Sequence, residues 1–210
     1  MRPLTDKIPK PLLKIDGVSL LERHIFRLKE AGFKDLIINV SYLADQIIDF
    51  VNNMSSGVNI RFSFEDEPLE TAGGVVKALP LLDDSPFLLI NADIWTDFEF
   101  RKIFTIDLSE DTLAHLVLVK NPPEHSSGDF ELDNSMVNNL RGGKSLTYSG
   151  IGIYRPFLFS PHNQSVGPLG PILNSAVQRR QVTGQIFNGC WHDVGTPDRF
   201  YALNDAVKGA

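Results

Sequence analysis

Apolar positions along the chain switch between helical spacing and strict alternation, and the switches outline the elements. Leu20, Leu21, Ile25 and Leu28 recur at helical spacing. Ser19 stands where an N-cap hydroxyl belongs, and Gly32 is placed to stop the helix. Residues 36–40 then read as a buried strand. A second helix is expected from about 43 to 51, with Ile47, Ile48 and Phe50 on its apolar side. Residues 58–64 alternate apolar and polar, the pattern of a strand with one solvated face. Gly73-Gly74 is expected to open a short helix ending near Leu79-Pro80, followed by apolar strands at 87–90 and 113–119.

From about Gly128 the texture changes. Residues 130–132, 137–140 and 146–154 read as short antiparallel strands joined by Asn- and Gly-rich turns. A helix near 172–179, a strand around 182–187 and a last helix from Pro197 complete the pattern. There is no repeat, low-complexity tract or linker. The expected fold class is α/β, a Rossmann-like and mostly parallel sheet covered on both faces, with a small antiparallel appendage.

Composition narrows the function classes. Of 210 residues, 42% are hydrophobic, enough to fill a core, so wholesale disorder is excluded. Net charge is −6, which leaves no general basic face for nucleic acid. No apolar run approaches the roughly 20 residues needed to span a bilayer. Met1-Arg2-Pro3-Leu4-Thr5 lacks the apolar core and cleavage site of a signal peptide. Cys190 is alone, which excludes an intrachain disulfide or a multi-cysteine metal site. A cytoplasmic globular protein that binds neither nucleic acid nor membrane is expected.

In α/β sheets ligands sit beyond the carboxyl ends of strands. Residues 65–71 and 91–93 are polar segments that follow strands directly, and both are expected to face one crevice. Near the amino terminus Arg2, Lys7, Lys10 and Lys14 oppose one acid, Asp6, in a segment pinned by Pro3, Pro9 and Pro11. A lysine between two prolines suits a phosphate, as a mobile point charge on a stiff backbone. A solvated, poorly ordered terminus is the alternative. Asp93 and Asp193 are of the type that holds Mg²⁺ against substrate phosphates. Taken singly, each reads better as a structural acid, Asp93 in a turn and Asp193 as the cap of the last helix. Gly73-Gly74 lets backbone approach a flat ligand, or is a simple turn.

Other matches fail. Gly142-Gly143-Lys144-Ser145 imitates the end of a phosphate loop but has Asn138 where glycine is required, so it reads as a hairpin turn. Ser149-Gly150 has Thr147 where a hydrolase elbow needs its first glycine. His24 and His115 sit within apolar elements and read as structural; His125 and His162 fall in loops, and His192 matters only as the neighbour of Asp193.

Four segments in order resemble the sugar-phosphate nucleotidyltransferases: Arg2-Pro3-Leu4-Thr5 with Ile8-Pro9-Lys10-Pro11; Leu69-Glu70-Thr71-Ala72-Gly73-Gly74; Leu89-Ile90-Asn91-Ala92-Asp93; and Trp191-His192-Asp193-Val194-Gly195-Thr196-Pro197. The likeness runs over essentially the whole chain. It implies one domain, with a nucleotide-binding part at 1–120, a sugar-binding part at 121–190, and a metal aspartate with the final helix at 191–210. Glu67-Pro68-Leu69-Glu70-Thr71, Asn91-Ala92-Asp93-Ile94-Trp95-Thr96-Asp97 and the compact Gly128-Asp129-Phe130 region point, within that family, to transfer of UMP from UTP to an amino-sugar 1-phosphate in peptidoglycan recycling.

The resemblance assigns roles residue by residue. Lys10 would bind the phosphates and stabilise developing charge; Asp93 and Asp193 would hold Mg²⁺. Glu70, Thr71, Gly73 and Gly74 would surround the uracil, with the Ala92 backbone near the ribose. Asp129, Ser149 and Gly150 would contact the sugar. The Glu-Lys-Pro segment of many glucose- and mannose-phosphate relatives is absent, and Lys144 does not replace it.

The family begins with a strand and a glycine-rich phosphate loop ahead of the position of Met1. The sequence therefore predicts open strand edges and weak or no activity for the 210-residue chain. Two other readings are another sugar-1-phosphate nucleotidyltransferase, for glucose or mannose 1-phosphate, and a non-catalytic nucleotide-sugar sensor.

Overall fold

The computed structural model describes residues 1–160 and 167–208; His162 lies outside the described residues. The first elements are β1 (Lys14–Ile15), β2 (Val18–Ser19), α1 (Leu20–Ala31), β3 (Asp35–Val40), α2 (Ala44–Asn52) and β4 (Asn59–Phe64). Next come α3 (Glu70–Ala78), β5 (Phe87–Ile90), β6 (Ile94–Thr96) and β7 (Ala114–Val119). The chain continues through β8 (Phe130–Asp133), β9 (Met136–Asn139), β10 (Ser145–Tyr154) and α4 (Leu169–Gln178), then β11 (Val182–Ile186), β12 (Trp191–Asp193) and α5 (Pro197–Lys208). These fall into two compact units. The first comprises Met1–Pro68, Ala92–Arg101 and Cys190–Ala210; the second comprises Leu69–Asn91 and Lys102–Gly189.

In the first unit, α1 starts and stops where its sequence signals. The Ser19 side chain accepts a hydrogen bond from Glu22 N at 3.1 Å, and Gly32 ends the helix at φ 107°. This satisfies amide donors that a helix start otherwise leaves open. Leu21 and Ile25 of α1 pack with Val40, Ile47 and Val51, under the parallel pair β3–β4. A second cluster joins Leu13, Ile15 and Leu20 to Val194, Phe200 and Leu203, with Met1 and Leu4 packed against it. The amino-terminal segment is thus anchored rather than loose. Tyr42 Oη donates to Asp6 O at 2.9 Å, and Gln46 Nε2 to Lys7 O at 3.1 Å.

The second unit is built on a six-stranded sheet ordered β5-β10-β7-β11-β9-β8, with β10 also pairing β8. Its core includes Ala72 and Val75 of α3, Leu173 and Val177 of α4, Leu116 and Leu118 of β7, and Tyr154 and Phe159. Every residue of β7 is buried, as expected for a central strand covered on both faces.

The α/β class stands, but the sheets are mixed. Among the described pairings only β3–β4 and β7–β11 are parallel. The ten-residue β10 runs antiparallel to β5, β7 and β8, so the antiparallel strands are woven into the main sheet instead of forming an appendage. Alternation of strands and helices along a sequence fixes which segments pair only loosely, and their direction not at all. Among the described residues β5 is an end strand of the six-stranded sheet, and β3–β4 forms a separate two-stranded sheet.

A further difference concerns α3. It begins at Glu70, so Gly73 and Gly74 lie inside the helix, buried, instead of opening it. Ala72, Gly73, Gly74, Val75 and Ala78 form its buried side.

Candidate active site

Lys10 opens a short 3₁₀ turn, Lys10–Leu12, between Pro9 and Pro11. Pro9 is extended at φ −63°, ψ 140°, and its carbonyl accepts Leu12 N at 2.8 Å. The ring-fixed backbone therefore aims the lysine. Its Nζ pairs with Asp93 Oδ2, a charge-assisted contact with both side chains about one-third exposed or less. The phosphate-binding candidate and one metal-binding candidate are thus direct partners.

Asp93 and Asp193 come together through the backbone. Strands β6 and β12 pair antiparallel with Ile94 opposite Asp193 and Thr96 opposite Trp191, and Val194 N donates to Asp93 O at 2.9 Å. At the other end of this short ladder, Thr96 Oγ1 donates to Cys190 O at 2.9 Å and Cys190 N donates to Asp97 Oδ1 at 2.7 Å. Three-residue strands need such bracing, because a two-stranded ladder is marginal by itself.

Helix α1 supplies more. His24 Nε2 donates to Ile94 O at 3.0 Å, and Arg27 donates to the carbonyls of Thr96 and, at 2.6 Å, Phe98. Three carbonyls along the segment that follows Asp93 are therefore held by two side chains one helical turn apart.

His24 carries a measurable consequence. Burial pushes its imidazole down to about 4 from 6.5; the Ile94 hydrogen bond and Asp93 oppose the shift, while Arg27 and Arg23 add to it. The unfolded chain takes up a proton near its ordinary pKa and the folded chain resists, so stability is lost as pH falls from about 6.5 to about 4. That gap corresponds to about 3 kcal/mol in full. In urea unfolding across this range, His24→Gln is expected to show a shallower acid decline than the wild type. Equal slopes would contradict a buried neutral imidazole.

The other expected site residues belong to the second unit, apart from Ala92, which is exposed and opens a segment of the first. Glu70 and Thr71 form the first turn of α3, with Glu70 exposed at φ 60° and Ala72 N donating to Gly167 O at 3.0 Å. Asp129 has both oxygens engaged: Oδ1 with His125 Nε2 at 2.9 Å and Oδ2 with Tyr148 N at 2.8 Å. Ser149 is buried; its Oγ donates to Val117 O at 2.7 Å and accepts from Ile151 N at 3.2 Å, so its hydroxyl serves the sheet.

Gly150 makes the irregularity of β10 possible. The register against β7 shifts between Tyr148 and Ile151, where Gly150 takes φ 78°. Its carbonyl accepts Asn91 N at 2.8 Å, and an added Cβ would lie 2.8 Å from Asn91 Cγ. Gly150→Ala combines left-handed strain with displacement of Asn91, an expected loss of roughly 2–4 kcal/mol in denaturant unfolding. A loss below about 0.5 kcal/mol would mean the bulge relaxes freely.

The residues at the carboxylate pair suit magnesium. Asp193 Oδ1 is buried with no hydrogen-bond partner, and Asp93 Oδ2 already holds a cation, the Lys10 ammonium. No cluster of three or more metal-ligating side chains occurs among the described residues. One or two carboxylates completed by substrate phosphates and water is how Mg²⁺ is ordinarily held. Sequence reasoning missed His24 as a brace, Arg27, and Arg199, which donates to Asp193 Oδ2 at 2.9 Å. The one available signal was a basic residue in the first turn of a helix, where cations are unfavourable without a partner.

Comparison with known proteins bears on this arrangement. The family described as nucleotidyl transferase matches residues 1–141. An N-acetylmuramate alpha-1-phosphate uridylyltransferase of Neisseria meningitidis serogroup B is 47% identical over 217 residues, covering 100% of this chain and 94% of that protein. A mannose-1-phosphate guanyltransferase of Yarrowia lipolytica is 28% identical over 95% of the chain, which spans 58% of that longer relative. Among solved structures, HddC from Yersinia pseudotuberculosis complexed with GMP-PN superposes with a TM-score of 0.78 at 23% identity, over 99% of this chain and 93% of that one. A UDP-glucose pyrophosphorylase complexed with UDP-glucose gives a TM-score of 0.78 at 16% identity, over 100% and 94%. These two structural likenesses establish the α/β fold alone.

Proposed function

The chain belongs to the nucleotidyl transferase family, and we propose that it transfers UMP from UTP to N-acetylmuramate α-1-phosphate, giving UDP-N-acetylmuramate and pyrophosphate. The observation that carries the reading is the full-length likeness to the Neisseria uridylyltransferase. The pairing of Lys10 with Asp93, one ladder step from Asp193, supports it.

In this reaction an oxygen of the sugar phosphate attacks the α-phosphorus of UTP. A new phosphorus–oxygen bond forms, the bond bridging the α- and β-phosphates breaks, and pyrophosphate leaves with the electron pair. Such transfers depend on positioning and charge neutralisation more than on covalent help from the protein. Lys10 exchanges its Asp93 partner for phosphate oxygens and offsets their charge. Asp93 and Asp193 are the residues that would hold Mg²⁺, which when bound supplies further neutralisation of the phosphates.

Glu70, Thr71, Gly73 and Gly74 serve the uracil, and the Ala92 backbone the ribose. Asp129, fixed by His125 and Tyr148 N, contacts the sugar, as does the main chain at Ser149 and Gly150. Since the Ser149 hydroxyl is committed to Val117 O, the backbone is what that position offers. The proposed setting is cytoplasmic. Among the described residues no helix is long and apolar enough to cross a membrane.

Product identification tests the reading. Incubation with UTP, N-acetylmuramate α-1-phosphate and Mg²⁺ is expected to give UDP-N-acetylmuramate and pyrophosphate in equal amounts by mass spectrometry and coupled assay. Nucleotide-sugar formed only from another sugar phosphate would overturn the substrate assignment. UTP binding with no product from any sugar phosphate would favour the sensor.

A further inference from the structure

Asp193 is held by its own chain a few residues on. Helix α5 starts at Pro197, and its first turn returns Arg199 toward the end of β12. Arg199 Nη1 donates to Asp193 Oδ2 at 2.9 Å and to the Asp193 carbonyl at 3.4 Å. Arg199 N donates to Thr196 Oγ1 at 3.3 Å, which ties the same residue to the intervening turn. Gly195 lies inside this bracket: a Cβ there would sit 3.0 Å from Arg199 Nη2 and 3.0 Å from Asp193 Oδ1. A side chain there would make both neighbours give by a few tenths of an ångström.

The two carboxylate oxygens end in different circumstances. Oδ2 has the guanidinium; Oδ1 is buried and has no hydrogen-bond partner. A buried acceptor left unsatisfied is unfavourable unless a ligand completes it. We propose that Arg199 is a positioning residue for Asp193, occupying Oδ2 so that Oδ1 alone is presented to a divalent cation. The proposal rests on the reading that Asp193 is a metal ligand and extends it to a residue outside the coordination sphere.

Two effects of Arg199 oppose each other. Its charge weakens the attraction of Asp193 for a cation, so removal on Coulombic grounds alone would tighten binding. Its hydrogen bond fixes the carboxylate, and Mg²⁺-type sites demand near-ideal ligand geometry and dehydrate reluctantly. Partners that orient a ligand are typically worth about 10–100-fold in metal affinity. The Asp193 side chain as a whole is 38% exposed, so without the guanidinium on Oδ2 it rotates and hydrates, and orientation outweighs charge.

The test titrates the full chain with Mn²⁺, reading free metal by electron paramagnetic resonance below the unfolding temperature of each variant. Asp193→Asn sets the background and is expected to lose the site. Arg199→Gln is expected to weaken Mn²⁺ binding by about 10–100-fold, with Arg199→Lys recovering part of the loss. Unchanged or tighter binding in Arg199→Gln would overturn the positioning role. If that variant does not fold, Arg199→Lys decides: a several-fold weakening supports the role, and wild-type affinity overturns it. Wild-type affinity in Asp193→Asn would instead overturn the metal reading on which the proposal rests.

Discussion

Asp93→Asn and Asp193→Asn each lower kcat/KM for nucleotidyl transfer on the order of 10²–10³-fold, with a higher magnesium requirement. The substitutions are nearly isosteric, and the ladder that aligns the two positions is backbone: Val194 N to Asp93 O, and β6 against β12. The fold therefore keeps its frame while the carboxylate charge is removed. Each variant also strands a basic partner. Asp93→Asn leaves Lys10 without its counterion, and Asp193→Asn does the same to one contact of Arg199. Both partners are partly exposed, so the stability change stays within about 1 kcal/mol. Pyrophosphate release measured across a magnesium series checks this; a variant with wild-type magnesium dependence would exclude that carboxylate as a ligand.

Lys10→Met gives the second large loss, again on the order of 10²–10³-fold, expressed in both kcat and UTP affinity. The ammonium is aimed by a proline-flanked turn and lies against Asp93, so it is the cation already placed beside the proposed metal carboxylate. Lys10→Arg is expected to recover little, because a planar fork does not reproduce a compact point charge. The double variant Lys10→Met with Asp93→Asn should lose less than the product of the single losses, since the two residues are in contact. Strict multiplicativity would mean they act independently and that their pairing is incidental. Calorimetric titration with UTP gives the affinity part of this prediction apart from turnover.

Legibility of the fold followed the range of the interactions. Helix α1 was readable to the residue because Ser19 and Gly32 act locally, on amides and carbonyls within one turn. Strand β7 was readable because its six consecutive buried positions are apolar but for His115. Strands β6 and β12 were not. Each has three residues, and their partnership joins segments far apart in sequence, for which local periodicity carries no information. Gly73 and Gly74 misled for a related reason: glycine punctuates loops in sequence, but here both lie inside a helix that begins three residues earlier.

The site divides similarly. Lys10 was singled out by its flanking prolines, and its pairing with Asp93 appears only once the chain is folded. Ser149 was placed correctly on its strand, yet its hydroxyl points its hydrogen bond at Val117 O, a commitment that sequence does not encode locally. His24 read as structural and is buried, but its specific bond to Ile94 O, beside Asp93, depends on how α1 meets the β6 segment within the first unit.

The central claim is a preference for one pair of substrates, and a ratio of kcat/KM values tests it even where turnover is low. Magnesium-dependent pyrophosphate release should be measured for UTP with N-acetylmuramate α-1-phosphate, and for GTP with mannose 1-phosphate, on the same preparation. The account predicts that the first pair is favoured by at least about 10²-fold, a difference of about 3 kcal/mol in transition-state stabilisation. Equal rates, or a preference for the guanine–mannose pair, would contradict it.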